Sequence, residues 1–129
     1  MEITVLDGAV SIDPDCVDAS GEQIRAWLAE YERGDRLDFD VAVEPPTPFI
    51  GEVLSAMRRI PAGETRTYGA LAADLETAPV AVGQACGRNP APILVPCHRV
   101  IGSDGGLCGY SSPDGLALKR RLLEHEGAT

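Results

Sequence analysis

Thr67-Tyr68-Gly69-Ala70-Leu71-Ala72-Ala73-Asp74-Leu75-Glu76-Thr77-Ala78-Pro79-Val80-Ala81-Val82-Gly83-Gln84-Ala85-Cys86-Gly87-Arg88 decides the fold, because it reads as two short helices across a tight turn. Thr67 is a capping residue with Leu71, Ala72 and Leu75 spaced to face inward, and Pro79 suits the first position of a second helix running to about Arg88. Such a pair fits a helix-turn-helix. The second helix carries small residues at Ala81, Gly83, Ala85 and Gly87, which would let its backbone lie close to a nucleic-acid groove. Close packing of two helices explains them as well, and is the more ordinary reason.

Working upstream, Thr47-Pro48 opens a helix whose Phe49, Ile50, Val53, Leu54 and Met57 share one face, ended by Pro61-Ala62-Gly63. Pro45-Pro46 reads as a linker. Ahead of it, Leu37, Phe39, Val41 and Val43 alternate in the manner of a strand with one buried face. Ser20-Gly21-Glu22-Gln23 has capping-box spacing before a helix with Ile24, Trp27, Leu28 and Tyr31 on one face and Gly34 at its end. Ile3-Thr4-Val5-Leu6 predicts a short strand before an Asp/Pro-rich turn. Downstream, Pro113 is placed to open a last helix to Gly127, with Leu116, Leu118, Leu122 and Leu123 for the core.

The chain divides in charge as well as in pattern. Its formal net charge of -9 lies wholly within residues 1–45, whereas residues 46–129 balance to zero. We therefore expect two units, an acidic α/β appendage over residues 1–45 and a mainly helical unit over 46–129. With 129 residues and 44% hydrophobic content there is enough for one core, or a small one with an appendage, and no third domain is expected. No apolar run nears the ~20 residues that cross a bilayer, and the start lacks the order of a secretion signal, so the expected location is the cytoplasm and no membrane partner is expected. Four cysteines without secretory context do not suggest a disulfide frame. The absence of Cys-x-x-Cys, and histidines that adjoin only Cys97 and Glu126, argue against zinc or any other metal.

Pro96-Cys97-His98-Arg99-Val100 carries the chemistry. A thiol with an ordinary pKa of about 8.5 is mostly protonated at neutral pH, so a nucleophilic role needs a base or a positive charge beside it. His98 and Arg99 offer one of each. A cysteine next to a histidine also arises by chance, and free cysteines are usually small buried apolar residues.

This motif, with Asn89-Pro90 before it and Ile101-Gly102-Ser103-Asp104-Gly105-Gly106, Gly109-Tyr110, Lys119 and Leu122-Leu123-Glu124-His125-Glu126-Gly127 after it, resembles the O6-alkylguanine-DNA alkyltransferases. The likeness extends upstream through Phe49, Val53, Ile60-Pro61-Ala62-Gly63, Thr67-Tyr68-Gly69, Leu71-Ala72 and Ala81-Val82-Gly83, and so covers roughly residues 47 to 127. It implies a mixed α/β (α+β) protein whose helical part holds a winged-helix-like helix-turn-helix. It also implies a monomer that binds alkylated DNA from the minor groove with the guanine flipped out, and that uses no cofactor. By the same resemblance Cys97 is the alkyl acceptor, His98 takes the thiol proton, Glu126 orients the imidazole, Asn89 orders the active-site turn and Tyr68 assists guanine departure. Tyr110 and Ser111 would cover the guanine. Val80, Ala81, Gly83, Arg88, Arg99 and Lys119 are the remaining residues expected against substrate or DNA.

The chain departs from the family pattern in three places. Val80 stands where an arginine usually precedes Ala-Val-Gly to fill the gap left by the flipped base. The stretch from Tyr68 to Ala81 is about two residues shorter than usual, and Ser111-Ser112-Pro113-Asp114-Gly115 about two longer. A neutral DNA-binding unit is also unusual, since phosphate attraction favours a basic one. Only one of the 11 basic residues is a lysine, and this acidic, lysine-poor composition resembles that of proteins from salt-loving organisms. The expected activity is irreversible, single-use transfer of an alkyl group from O6 of guanine to Cys97. The alternatives are a lesion-binding relative that recruits other repair factors without accepting the group, and a structural or redox thiol module.

Overall fold

The computed structural model describes residues 1–102 and 115–128. The chain begins with a hairpin of β1 (Glu2–Val5) and β2 (Gly8–Ser11), antiparallel and in register from Glu2 opposite Ser11 to Val5 opposite Gly8. Leu6 and Asp7 turn it, both at positive φ (50° and 66°), the conformation that two-residue hairpin loops require. The expected strand is therefore present but ends one residue early, and what reads as an Asp/Pro-rich turn contains a second strand. Ile3, Val5, Val10 and Ile12 point to one side and are buried.

A short 3-10 turn, Pro14–Cys16, leads to α1 (Gly21–Arg33). Ser20 Oγ accepts from Gln23 N at 3.1 Å, a cap worth ~1 kcal/mol, and Gly34 ends the helix at φ 79°. Ile24, Leu28 and Tyr31 are buried on the face the sequence indicates. The segment from Leu37 to Val43 is a correction. Phe39 and Val41 are buried as the alternation requires, yet the backbone pairs only through a single bridge between Val43 and Val17. Alternation reports which side chains go inward; a strand also needs a partner edge, and only Val17 supplies one here.

α2 (Pro48–Arg58) is capped by Thr47 Oγ1, which accepts from Ile50 N at 3.2 Å. β3 (Arg66–Thr67) pairs in parallel with β4 (Val100–Ile101). This two-residue pairing ties the start of α3 (Tyr68–Asp74), capped by Thr67 Oγ1 to Ala70 N at 3.0 Å, to the chain just after Arg99. α4 (Pro79–Gly87) completes the expected helix pair. Of its small residues only Ala85 is buried; a Cβ built on Gly83 or Gly87 meets nothing within 4 Å, so neither glycine is required by helix packing.

α5 (Gly115–His125) closes the described chain. Leu118, Leu122 and Leu123 are buried, but Leu116 is half exposed, contrary to expectation. Two apolar clusters result. One joins α2, α3 and α4 with Val95, Cys97 and Val100; the other joins the hairpin and α1 not only with one another but with Ala91, Ile93, Leu94, Leu118 and Leu122.

The hairpin meets α5 closely at one point, where a Cβ built on Gly8 would lie 2.7 Å from Leu118 Cδ1 and 3.0 Å from its Cβ. Gly8→Ala is expected to lower unfolding stability by about 1–3 kcal/mol through overpacking. Leu118→Ala alone should cost about 2–5 kcal/mol. In that background the added methyl should cost much less, and equal costs in the two backgrounds, measured by denaturant unfolding, would show that Leu118 is not what Gly8 accommodates.

Candidate active site

α4 runs directly into the turn that presents Cys97. Arg88 caps the helix, Asn89 N bonds back to Cys86 O at 3.3 Å, and the Asn89 side chain then braces the turn from Ala91 to Val95. Its Oδ1 accepts from Ala91 N at 3.0 Å and its Nδ2 donates to Val95 O at 3.1 Å. Between them Ile93 sits buried at φ 75°, a conformation that costs a β-branched residue on the order of 1–3 kcal/mol. The Asn89 bonds and the burial of Ile93, Leu94 and Val95 hold that strain in place. Cys97–Arg99 form one 3-10 turn, and all three side chains are buried.

His98 is wholly buried, with Nε2 2.8 Å from Glu126 Oε2. Glu126 follows the end of α5 and is itself buried, not solvated as an ordinary helix-end carboxylate would be. Burial alone would raise its pKa, but hydrogen bonds from His98 and Arg99, and their charge, outweigh that and bring it down to about 2. Arg99 supplies the lasting counter-charge through Nε to Oε1 at 2.8 Å and Nη2 to Oε2 at 3.1 Å. Burial lowers the pKa of His98, more than the carboxylate raises it. The resting arrangement is therefore a neutral imidazole beside an anion already paired with a guanidinium.

The tautomer follows from the carboxylate. Glu126 can only accept, so Nε2 carries the hydrogen and Nδ1 is the basic nitrogen. Nδ1 is buried without a hydrogen-bond partner among the described residues. The ring can take a proton at Nδ1, and Glu126 would then stabilise the cation formed.

The other two described cysteines both have raised thiol pKa values. Burial foremost pushes the Cys86 thiol up to about 12, and its sulfur lies 3.7 Å from Met57 Sδ. Cys16 is also raised, by desolvation and then by the Asp13 carboxylate, which it meets at 3.5 Å. Neither is in a disulfide, nor is Cys97, and no cluster of ligands able to hold a metal ion occurs among the described residues.

Two residues expected against DNA lie inside the protein. Arg99 is 1% exposed: besides Glu126, its Nη1 meets Asp38 Oδ1 at 2.9 Å and Ile60 O at 2.8 Å, and its Nη2 meets Leu37 O at 2.9 Å. Lys119 is equally buried, with Nζ donating to Val100 O at 2.6 Å and to Tyr68 Oη at 3.4 Å. Their donors point to internal oxygens instead of solvent, so neither is available to a phosphate. Lys119 instead joins Tyr68, at the start of α3, to the strand after the Cys97 turn. Val80, Ala81 and Gly83 lie along α4; Val80 is 67% exposed, and Arg88 at the helix end is exposed too. Tyr110 and Ser111 lie outside the described residues.

Besides the Ile60 carbonyl, three participants were missed in the sequence. Tyr31 Oη donates to Glu126 Oε2 at 2.8 Å, while Asp38 and the Leu37 carbonyl hold Arg99. A tyrosine on an otherwise apolar helix face was the only available signal, since its hydroxyl needs a partner when buried.

Residues 48–128 match the family described as 6-O-methylguanine DNA methyltransferase, DNA binding domain. A methylated-DNA–protein-cysteine methyltransferase of Methanosarcina acetivorans is 48% identical over 104 residues, covering 78% of this chain and 65% of that protein. Among solved structures, the Mycobacterium tuberculosis OGT in complex with DNA is 44% identical, with a TM-score of 0.73 over 80% of this chain and 65% of the other. S. pombe Atl1, bound to damaged DNA containing O6-carboxymethylguanine, is 33% identical, with a TM-score of 0.56 over 61% of this chain and 75% of the other. The chain spans about two thirds of the length of the curated relatives it matches. On the match across residues 48–128, more than half of its length, the chain belongs to the 6-O-methylguanine DNA methyltransferase family.

Proposed function

We propose that this chain removes the alkyl group from O6 of alkylated guanine in DNA, moving it to Cys97 Sγ once per molecule. The observation that carries the reading is the buried His98, with Nε2 committed to Glu126 and Nδ1 left basic in the same turn as Cys97. The thiol proton passes to His98 Nδ1, the sulfur attacks the alkyl carbon, and the carbon–O6 bond breaks with its electron pair going to the guanine. Tyr68, with the Lys119 ammonium beside its hydroxyl, assists the departing base. The product thioether cannot be reversed by the same groups, so the protein is spent. No metal or organic cofactor takes part in these steps. A reduced thiol is needed throughout, which suits a monomer working in the cytoplasm. No described helix is long and apolar enough to cross a membrane.

α4 is the element we assign to the minor groove, with the guanine flipped toward Cys97. The open space at Gly83 and Gly87 and the exposure of Val80 support that assignment. The acidic first third, which shares its core with Ala91, Ile93, Leu94, Leu118 and Leu122, serves in this reading as a support for the residues from 46 onward.

Intact mass after incubation with an O6-methylguanine oligonucleotide should show one added methyl group, mapped by peptide sequencing to Cys97, and Cys97→Ser should abolish it. A methyl group on Cys86 or Cys108, or none on folded and reduced protein, would overturn the assignment. Lesion binding without transfer would instead identify a recruiting protein.

Glu126→Gln keeps the hydrogen-bonding shape but removes the charge that stabilises the imidazolium. Transfer should slow by about 10²- to 10⁴-fold while lesion binding changes only a few-fold. Unchanged rates across neutral pH would remove Glu126 from the relay.

Val80 can fill volume in a duplex but supplies neither charge nor hydrogen bond to an orphaned base. Flipping costs a few kcal/mol in a paired duplex and least in a single strand. Val80→Arg should therefore speed repair of matched duplex more than of mismatched duplex or single strand. Equal single-turnover effects on all three substrates would refute the idea, and a loss on duplex alone with Arg88→Ala would assign the gap to Arg88.

A further inference from the structure

Glu126 Oε2 is shared between donors from distant parts of the chain. It lies 2.8 Å from His98 Nε2, 2.8 Å from Tyr31 Oη on α1, and 3.1 Å from Arg99 Nη2. Tyr31 is wholly buried, its ring packed 6.0 Å from Phe39 and 4.9 Å from His125, centroid to centroid. Its carbonyl meets His125 Nε2 at 2.5 Å. Both ends of the residue are thus fastened to the C-terminal end of α5. Burial, and then the carboxylate it faces, push its ionisation well above the ordinary range, so the phenol stays neutral and remains a donor.

Packing accounts for the ring but not for the hydroxyl, because a phenylalanine would fill the same space. The hydroxyl acts on the oxygen that serves His98. A hydrogen bond to a charged acceptor is stronger than one between neutral groups, and each such bond lowers the negative potential that the carboxylate presents to its other partners. Tyr31 therefore limits how strongly Glu126 favours imidazolium, while fixing the carboxylate plane.

We propose that Tyr31 is a positioning residue for the transfer site: its hydroxyl holds the Glu126 carboxylate against His98 and draws off part of the charge that Oε2 offers the imidazole, so that the relay is set by the seating of α1. The inference rests on the reading of the site as a thiol-transfer relay. The groups that otherwise face His98 are Glu126, Arg99 and Lys119, with Asp38 acting through Arg99, and substitution at position 31 leaves all of them in place.

The test compares the full-length protein with Tyr31→Phe, which keeps the ring, and with difluorotyrosine inserted at position 31, whose hydroxyl is a stronger donor. Imidazole ¹⁵N NMR gives the His98 titration directly, and single-turnover rates give the pH profile of transfer. Tyr31→Phe should raise the His98 titration by about half to one unit, since one unit corresponds to 1.36 kcal/mol. Difluorotyrosine should lower it, and the pH profile should move in the same direction in each case. Because the two variants carry opposite predictions, poor folding of one leaves the other decisive. An unmoved titration in a folded variant, with only a uniform loss of rate or stability, would reduce Tyr31 to packing and overturn the proposal. A wild-type protein that accepts no methyl group would overturn the transfer reading itself, an outcome separate from the imidazole titration.

Discussion

A carboxylate stays ionised inside this protein because Arg99 is buried with it and His98 and Tyr31 also bond to it. Moving either charge out of water alone would cost several kcal/mol, and removing one partner of such a pair typically costs about 3–5 kcal/mol. The pair is tolerable because nearly every remaining polar edge is satisfied: Arg99 also reaches Asp38, Leu37 O and Ile60 O, and Glu126 also receives Tyr31 and His98. Those partners come from the first third of the chain, the end of α2, the turn after Pro96 and the end of α5. One ion pair thus fixes the relative position of segments that are far apart in sequence. The same pair lets His98 rest neutral, since the anion beside it already has a cation.

Secondary structure was legible where a local rule suffices. Ser20, Thr47 and Thr67 each cap the helix they precede through their own side-chain oxygen, and Pro48 and Pro79 occupy first helical positions. The failures share one feature, dependence on a partner that the local sequence does not name. Gly8–Ser11 is a strand because it pairs with Glu2–Val5, whereas Leu37–Val43 alternates without finding more than the bridge to Val17. Leu116, placed in the buried stripe of α5 by its apolar character, is half exposed.

The site divides in the same way. The motif names Cys97, His98, Asn89 and Glu126, and the fold brings the last three into the expected neighbourhoods by hydrogen bonds to one another's segments. Arg99 and Lys119 were misread because a basic residue beside a DNA-repair motif suggests phosphate, and composition cannot tell an outward guanidinium from one enclosed by acceptors. Tyr31 and Asp38 were invisible for the converse reason. They lie in a segment outside the motif, and only the fold carries them to it.

Burial of these cations changes what can attract DNA. The residues from 46 onward are neutral overall, and Arg99 and Lys119 spend their charge internally while Arg66 is held 2.6 Å from Asp74. Arg59, Arg88 and Arg120 remain exposed, and the residues outside the described part before α5 contain no lysine or arginine. Each phosphate neutralised contributes to affinity and to its loss with salt, so a protein with so few outward cations gains little from either. On the proposed reading, recognition of DNA by such a surface rests on contact at the base and groove, which places the weight on shape. α4 is shaped for it: a helix with open space at Gly83 and Gly87, leading without interruption into Asn89 and the strained turn that ends at Cys97. The helix proposed to approach the duplex and the turn that carries the thiol are one continuous segment, braced by the two hydrogen bonds of the Asn89 side chain.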